Sequence, residues 1–196
     1  ISAHLLWLGT HALDLGAATV FFHTFRDREP LYDLMERLTG ARLTTSYTRV
    51  GGLSGDIPEG WTGDLRRFLD YFAPMIDEFE KLLTRNRIWL QRTQNIGIIS
   101  KSMAIEYGVT GPALRAAGVD FDIRKAFPYC GYEKYDFEIP IGAVGDVYDR
   151  YLVRIEEMRQ SVRILDQALR HLPDGPINVE DGKVFLPGKK KVLTSM

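Results

Sequence analysis

The sequence is poor in cysteine, carries almost no net charge and has no clean apolar run long enough to cross a bilayer. Its single cysteine, Cys130, excludes a disulfide framework and any cysteine-ligated zinc or iron–sulfur site built from this chain alone. One lone thiol fits a reducing compartment, so an intracellular setting is expected. With a formal net charge of −1 there is no electrostatic case for nucleic acid, although Gly188-Lys189-Lys190-Lys191 is locally basic. The most apolar stretch, His4 to Phe22, is broken by Gly9, His11, Asp14 and Gly16 before about 18 clean residues accumulate, and no transmembrane helix is expected. No charged segment precedes that run, which argues against a signal peptide. The chain opens without Met, directly into an apolar stretch that lacks a cap. From this a segment of a longer protein is expected.

The stretch His4 to Arg26 organises what is there. Apolar residues occur all round it, so as a helix it is expected to be buried on every side. Asp14 lies inside it, with no Lys or Arg within a turn. An ionised carboxylate buried in this way costs several kcal/mol unless a partner is supplied. Either another segment provides that partner, or Asp14 is held protonated. It is a structural carboxylate or a proton-handling group; these residues alone leave both open. His4 and His11 share a face but are too far apart for an i, i+4 zinc pair. No metal site is expected. Gly9 and Gly16 fall on one face and let a neighbouring helix approach closely.

At 196 residues the chain can bury a sizeable core, and the pattern predicts a mainly α protein, a bundle of long helices in a single domain 1–196. A second helix restarts at Glu29-Pro30-Leu31 and ends at Gly40. Residues 41–63 lose the helical period, with Ala41 to Thr48 extended. The loop Arg49-Val50-Gly51-Gly52-Leu53-Ser54-Gly55 lacks the spacing of a phosphate cradle. It is a tight turn beside a packed helix, or a loop touching a ligand in trans.

From Leu65 the positions Phe68, Phe72, Met75, Phe79 and Leu82 step by three and four, with Pro74 expected to kink or break the helix near Ala73. Arg85 to Thr93 is expected to be a helix end with a solvated or subunit-facing side. The middle, 96–145, is punctuated by glycine and proline, with Thr110 capping a short helix and Tyr135 to Ile141 forming an edge strand. So long an irregular region usually carries function or contacts a partner. The last helix has the seam Tyr148, Tyr151, Ile155, Met158, Val162, Leu165, Leu169 and Leu172. Ile177 to Leu186 reads as a hairpin around Asp181-Gly182. The seams of the last helix and of the one from Leu65 are expected to pack on the first.

Several words, in order, resemble the hydrogenase-like D subunit of respiratory complex I, the NADH:quinone oxidoreductase. They are His11-Ala12-Leu13-Asp14-Leu15-Gly16-Ala17, Thr39-Gly40-Ala41-Arg42, Asn86-Arg87-Ile88-Trp89, Gly111-Pro112, Leu114-Arg115, Asp122-Ile123-Arg124-Lys125, Pro128-Tyr129, Pro140-Ile141-Gly142, Gly145-Asp146-Val147-Tyr148-Asp149-Arg150-Tyr151 and Glu156-Glu157-Met158-Arg159-Gln160-Ser161. The resemblance spans nearly the whole chain, while the family's subunit is about twice as long.

The resemblance implies a nickel–iron hydrogenase large-subunit-like fold and a share in a quinone-reducing chamber. The chamber is formed with a neighbouring subunit that holds the terminal iron–sulfur cluster. In that family a His and a Tyr, both upstream of Ile1, hold the quinone headgroup, and the Asp paired to the His matches Asp14. His11, Thr44, Arg49, Gly51 and Gly52 are implied as supporting residues. Thr44 stands where many of that family carry a His near the cluster, and threonine cannot titrate near neutral pH. Val50 stands where Pro is common. The resemblance further implies no cofactor bound by this chain itself, quinone as substrate and other complex I subunits as partners, among them the iron–sulfur subunit and a membrane-arm subunit. It places the chain peripherally on the cytoplasmic side of the inner membrane.

Two other readings stand beside this one. A nickel–iron hydrogenase large subunit carries two Cys-x-x-Cys pairs near its ends, so their absence here decides little. A scaffolding domain has Asp14 bound to an Arg and uses the Arg87–Arg92 segment as a contact surface.

Overall fold

The computed structural model of the chain describes residues 1–181, 184 and 189–194. The organising stretch is two helices instead of one. Helix α1 (Ser2–Asp14) ends, the chain turns through Leu15, Gly16 and Ala17, and α2 (Ala18–Thr39) runs back along it. Gly16 has φ +91°, a left-handed conformation that costs glycine little. The Ala17 amide donates to Ala12 O at 2.7 Å, closing the turn. The two helices form an antiparallel αα-hairpin, with Ser2 Oγ donating to the Tyr32 hydroxyl at 3.0 Å. Gly9 permits the closest approach: a Cβ there would lie 2.3 Å from Thr24 Oγ1 and 3.2 Å from the Phe25 ring.

The hairpin overturns the expectation of a rod buried all round. Leu5, Leu8, Gly9 and Ala12 share one face and are buried, whereas Leu6, Leu13 and Asp14 point outward and are exposed. Apolar residues on both sides of α1 hid which side was covered. Pro30 does not restart a helix; it lies inside α2, which Gly40 terminates as expected. A mid-helix proline costs about 3 kcal/mol, and the packing of α2 on both neighbours outweighs it.

Helix α3 (Trp61–Leu83) likewise continues through Pro74. Its buried stripe is Leu65, Phe68, Leu69, Phe72, Ile76, Phe79 and Leu83, so Ile76 and Leu83 take the places expected for Met75 and Leu82. Asp146 caps α8 (Val147–Arg170) by accepting from the Asp149 amide at 2.8 Å. Tyr151, Ile155 and Met158 of the expected seam are buried, and Val162, Leu165 and Leu169 are half-buried against the core. Leu172 lies beyond the helix and is exposed.

Each long helix touches two others: α1 packs on α2 and α8, α2 on α3, and α3 on α8. That closes a four-helix ring around the core. The expected packing of both later seams on the first helix holds for α8; α3 meets α2 instead. The irregular middle is attached to α8. Helix α4 (Arg87–Thr93) is capped by Asn86 and anchored by buried Trp89 and Thr93. Helices α5 (Lys101–Glu106) and α6 (Gly111–Ala116) form a small second core from Ala104, Leu114 and Ala117. Thr110 starts α6 without a side-chain cap bond. Helix α7 (Ile123–Ala126) is capped by Asp122, and a short α9 (Lys189–Thr194) lies near the end.

Among the described residues the β strands form one antiparallel pair, β1 (Thr48–Arg49) with β2 (Gly52–Leu53). Ile177 to Val179 runs beside it: Leu53 N donates to Ile177 O, and Val179 N to Gly51 O at 2.8 Å. A Cβ at Gly52 would lie 2.2 Å from Ile177 O, so only glycine fits there. The expected hairpin around Asp181-Gly182 falls in part outside the described residues. The expected strand Tyr135 to Ile141 does not form. The Asp136 and Glu138 amides donate to Gln167 and Gln160 of α8, at 2.8 and 2.9 Å, instead of to a second strand.

Gly9→Ala tests the hairpin. Alanine is the better helix former by about 1 kcal/mol, but its Cβ meets the hydroxyl of fully buried Thr24, which is held by Phe21 O at 2.9 Å. Net destabilisation of about 1–3 kcal/mol is expected, seen as a lower thermal midpoint. Thr24→Ala in the same chain should restore part of it, and a Gly9→Ala chain as stable as the parent would contradict the close approach.

Candidate functional site

Asp14 is the last residue of α1, and its carboxylate is exposed. It makes no hydrogen bond or ion pair with any described residue. The expected burial is therefore corrected, and so is the need for an internal partner: no Arg among the described residues holds it, as the scaffolding reading required. A negative charge in the last turn opposes the helix dipole at a cost of about 0.3–1 kcal/mol. Asp14 is not there to stabilise its helix.

One turn back, His11 stacks on Trp7, with centroids 4.7 Å apart, and meets the edge of Trp89 at 5.5 Å. Trp89 continues onto Tyr151 at 5.2 Å, so rings from α1, α4 and α8 form one column. The other end is capped by the Arg154 guanidinium, 4.1 Å over the Trp7 ring. His11 Nε2 and Trp89 Nε1 are buried in this column without a hydrogen-bond partner. Burial pushes the His11 pKa below the usual histidine value; the Asp14 charge opposes this, and Arg154 and Arg150 add to it. Burial also lowers Arg154 to about 10, which leaves it cationic at neutral pH.

A second polar group joins α1, α8 and the irregular middle. His4 Nε2 lies 2.7 Å from Glu157 Oε2, and Arg115 Nε and Nη2 reach Glu157 Oε1 at 2.7 and 2.6 Å. Arg115 Nη1 donates to Phe121 O at 3.1 Å and lies 3.6 Å from Asp122, which takes a two-pronged contact from Arg124. Burial alone would raise the Glu157 carboxyl; the hydrogen bonds from His4 and Arg115 outweigh it and hold the pKa below the usual carboxylate value. These residues, with Tyr129, Phe121 and Ser161, line a cavity of about 450 Å³. Sequence reasoning missed this network. Its local signals were a Glu beside the apolar seam at Met158 and an Arg directly after Leu114.

The remaining expected site residues lie apart. Thr44 sits on an exposed loop, Arg49 is exposed on β1, and Gly51 and Gly52 form the turn held by Ile177 to Val179. No hydrogen bond, ion pair or ring contact joins them to His11 or Asp14. Among the described residues, no group of three or more His, Cys, Asp or Glu side chains is arranged to hold a metal ion. Exposed Cys130 stands alone. No described helix is long and apolar enough to cross a membrane.

This arrangement defines a mainly helical protein with an exposed acid at the end of α1 and a buried charge network beside a cavity. Comparison with known sequences resolves the class. Residues 14–196 match the family described as respiratory-chain NADH dehydrogenase, 49 Kd subunit, and the chain belongs to that family. It is similar to the NADH-quinone oxidoreductase D subunit of Methylacidiphilum infernorum, at 61% identity over 196 residues, all of this chain and 47% of the relative. The D subunit of Geotalea uraniireducens is 52% identical over 196 residues, all of this chain and 50% of the relative. A D subunit of Solibacter usitatus, numbered 2, is 56% identical over 187 residues, 95% of this chain and 50% of the relative. The chain thus spans about half the length of these curated relatives.

Two outcomes test the site's electrostatics. Arg115→Met leaves Glu157 buried beside one imidazole, and a loss of about 3–5 kcal/mol is expected. Thermal unfolding reads it, and Glu157→Gln should recover part of the loss. His11 acts in the opposite direction from a raised histidine. Its folded-state value is depressed, so its stabilising share is full above about pH 6.5 and is lost as pH falls through the folded value. His11→Phe should flatten the fall of the thermal midpoint between about pH 7 and 5; an unchanged slope contradicts this.

Proposed function

We propose that this chain forms part of the quinone-reducing region of a proton-pumping NADH:quinone oxidoreductase. The observation that carries the proposal is the state of Asp14, an exposed acid with no ion pair among the described residues, closing the motif His11-Ala12-Leu13-Asp14 in a chain of this family. An acid placed in this way is open to an imidazole brought by a segment outside the chain. A histidine so paired becomes more basic and is held in one orientation. Reduction of a quinone to a quinol takes two electrons and two protons. In this proposal the imidazole gives one proton to a headgroup oxygen, a second donor outside this chain gives the other, and Asp14 orients and charges the imidazole, then re-pairs once the proton has left. The iron–sulfur cluster assigned to the neighbouring subunit supplies the electrons.

His11 supports the same role. Its depressed pKa keeps it neutral beside Asp14, so it does not neutralise the acid at neutral pH. Thr44, Arg49, Gly51 and Gly52 are assigned to a second contact of the chamber, on the β-hairpin and the loop before it. The fold is taken to be that of a nickel–iron hydrogenase large subunit. The chain is placed peripherally on the cytoplasmic side of the membrane, against the iron–sulfur subunit and a membrane-arm subunit.

Asp14→Asn in the assembled enzyme keeps shape and removes charge. NADH:quinone reductase activity is expected to fall at least about tenfold, while electron transfer from NADH to an artificial acceptor persists. Near-normal quinone reduction in a fully assembled complex would remove Asp14 from the mechanism.

A further inference from the structure

Among the described residues, ten arginines lie within 4 Å of a carboxylate: Arg26, Arg37, Arg42, Arg66, Arg67, Arg115, Arg124, Arg159, Arg163 and Arg170. Seven arginines lack such a partner; Arg28 on α2 and Arg49 on β1 stand apart, and the other five are concentrated in one place. Arg85, Arg87 and Arg92 lie on or beside α4, and Arg150 and Arg154 lie on the first turns of α8, which packs on α4.

Residues 84–99 hold no Asp, Glu or Lys at all. The carboxylates at the start of α8 are already engaged. Asp146 accepts from the amides of Asn95 and Asp149 at 2.7 and 2.8 Å, and Asp149 accepts from the amides of Ala143, Val144 and Gly145. Arg150 itself is tied to the carbonyls of Gly145 and Gly97, at 2.7 and 2.8 Å. Arg85, Arg87 and Arg92 make no ion pair with a described carboxylate, and Arg150 is drawn by the charges of Asp146 and Asp149 without pairing to them.

The same face is apolar between its charges. Ile88 is 59% exposed, Ile96 46% and Ile98 49%. Ile88 and Arg92 are one turn apart on α4 and lie on the same side. The segment after α4 turns through Asn95 and Gly97, at φ +58° and +59°, and is pinned to the start of α8: Val147 N donates to Ile96 O at 3.0 Å, and Ile99 N to Gly145 O at 2.9 Å. On the inner side, buried Trp89 and Thr93 fix α4. The surface is therefore preorganised, and little conformational freedom is lost when something binds it.

We propose that the face made by α4 and residues 94–99, with Arg85, Arg87, Arg92, Ile88, Ile96 and Ile98, is a docking surface for a protein that presents a carboxylate-rich strip. A protein fits better than an anionic bilayer on three grounds. Every cation here is Arg, which forms two-pronged contacts with carboxylates and is enriched at protein interfaces, where Lys is depleted. Helix α4 has seven residues, too few for a lipid-embedded amphipathic helix of the usual length. The exposed isoleucines are held among the arginines on a pinned backbone, as at an interface with a matching surface. The inference rests on the proposed membership of a multisubunit enzyme, and it adds the chemistry of a neighbour.

The test places the photo-crosslinking residue p-benzoylphenylalanine at Ile88, and separately at Ile98, of the full-length subunit in the assembled oxidoreductase. Adducts are mapped by mass spectrometry after irradiation. The expected product joins this chain to an Asp- and Glu-rich segment of another polypeptide. Its yield should fall at least about tenfold with Arg87→Glu and Arg92→Glu together, and persist with both changed to Lys. If the Glu variant does not assemble, the mapped adduct of the parent and of the Lys variant still decides. Adducts to lipid, to this chain alone or to a segment without carboxylates overturn the docking surface, as does no adduct at all. Quinone reduction by the same preparation, tested separately, keeps the proposed function standing when only the docking surface fails. A purified complex that lacks this subunit overturns both.

Discussion

Glu157 is where the helical ring and the irregular middle meet. Its carboxylate is buried on α8 and is answered from α1 by His4 and from α6 by Arg115. Taking such a charge out of water costs several kcal/mol, and the cost is met only when its lone pairs are satisfied. Here both oxygens are engaged, and Arg115 passes the connection on toward Asp122, Arg124 and α7. The second core behind this network is small, Ala104, Leu114 and Ala117 with partly buried neighbours. Apolar burial on that scale does little to orient a region so rich in glycine and proline. Charge, desolvated and paired, sets the position of the middle against the bundle.

The αα-hairpin has the complementary effect at the other end of α1. By folding back at Gly16 it covers the Leu5, Leu8 and Ala12 face and turns Asp14 outward. The acid is then available to something beyond this chain, while His11 is drawn into a column of rings that disfavours its protonated form. Two titratable groups three residues apart thus sit in opposite environments, one wet and one dry. Burial separates their behaviour more strongly than their proximity in sequence couples it.

Charge is distributed unevenly over the surface. Arg159 meets Asp77, Glu80 and Glu156, and Arg42 meets Glu29 and Asp33, so the outer faces of α2, α3 and α8 largely neutralise themselves. The α4 face does not. In a chain that matches half the length of its relatives, an open acid and an unbalanced row of arginines are the features that point beyond the described residues.

Much of the fold follows from local pattern. The three-and-four step of Tyr151, Ile155 and Met158 marks the buried side of α8, and Gly40 marks the end of α2. The words around Asp14, Arg115 and Glu157 carry the family. These were legible because helical period and terminus chemistry are short-range properties. The period errs by one residue at Ile76 and Leu83, where neighbouring apolar side chains compete for the same side. What the sequence could not decide is which faces are covered. A run apolar on all sides bends in two and exposes Asp14, proline is carried inside α2 and α3, and a glutamate beside a seam becomes the shared anchor of residues 4, 115 and 157. Each of these depends on side chains far apart along the chain meeting in a low-dielectric interior, and neither spacing nor composition encodes that encounter directly.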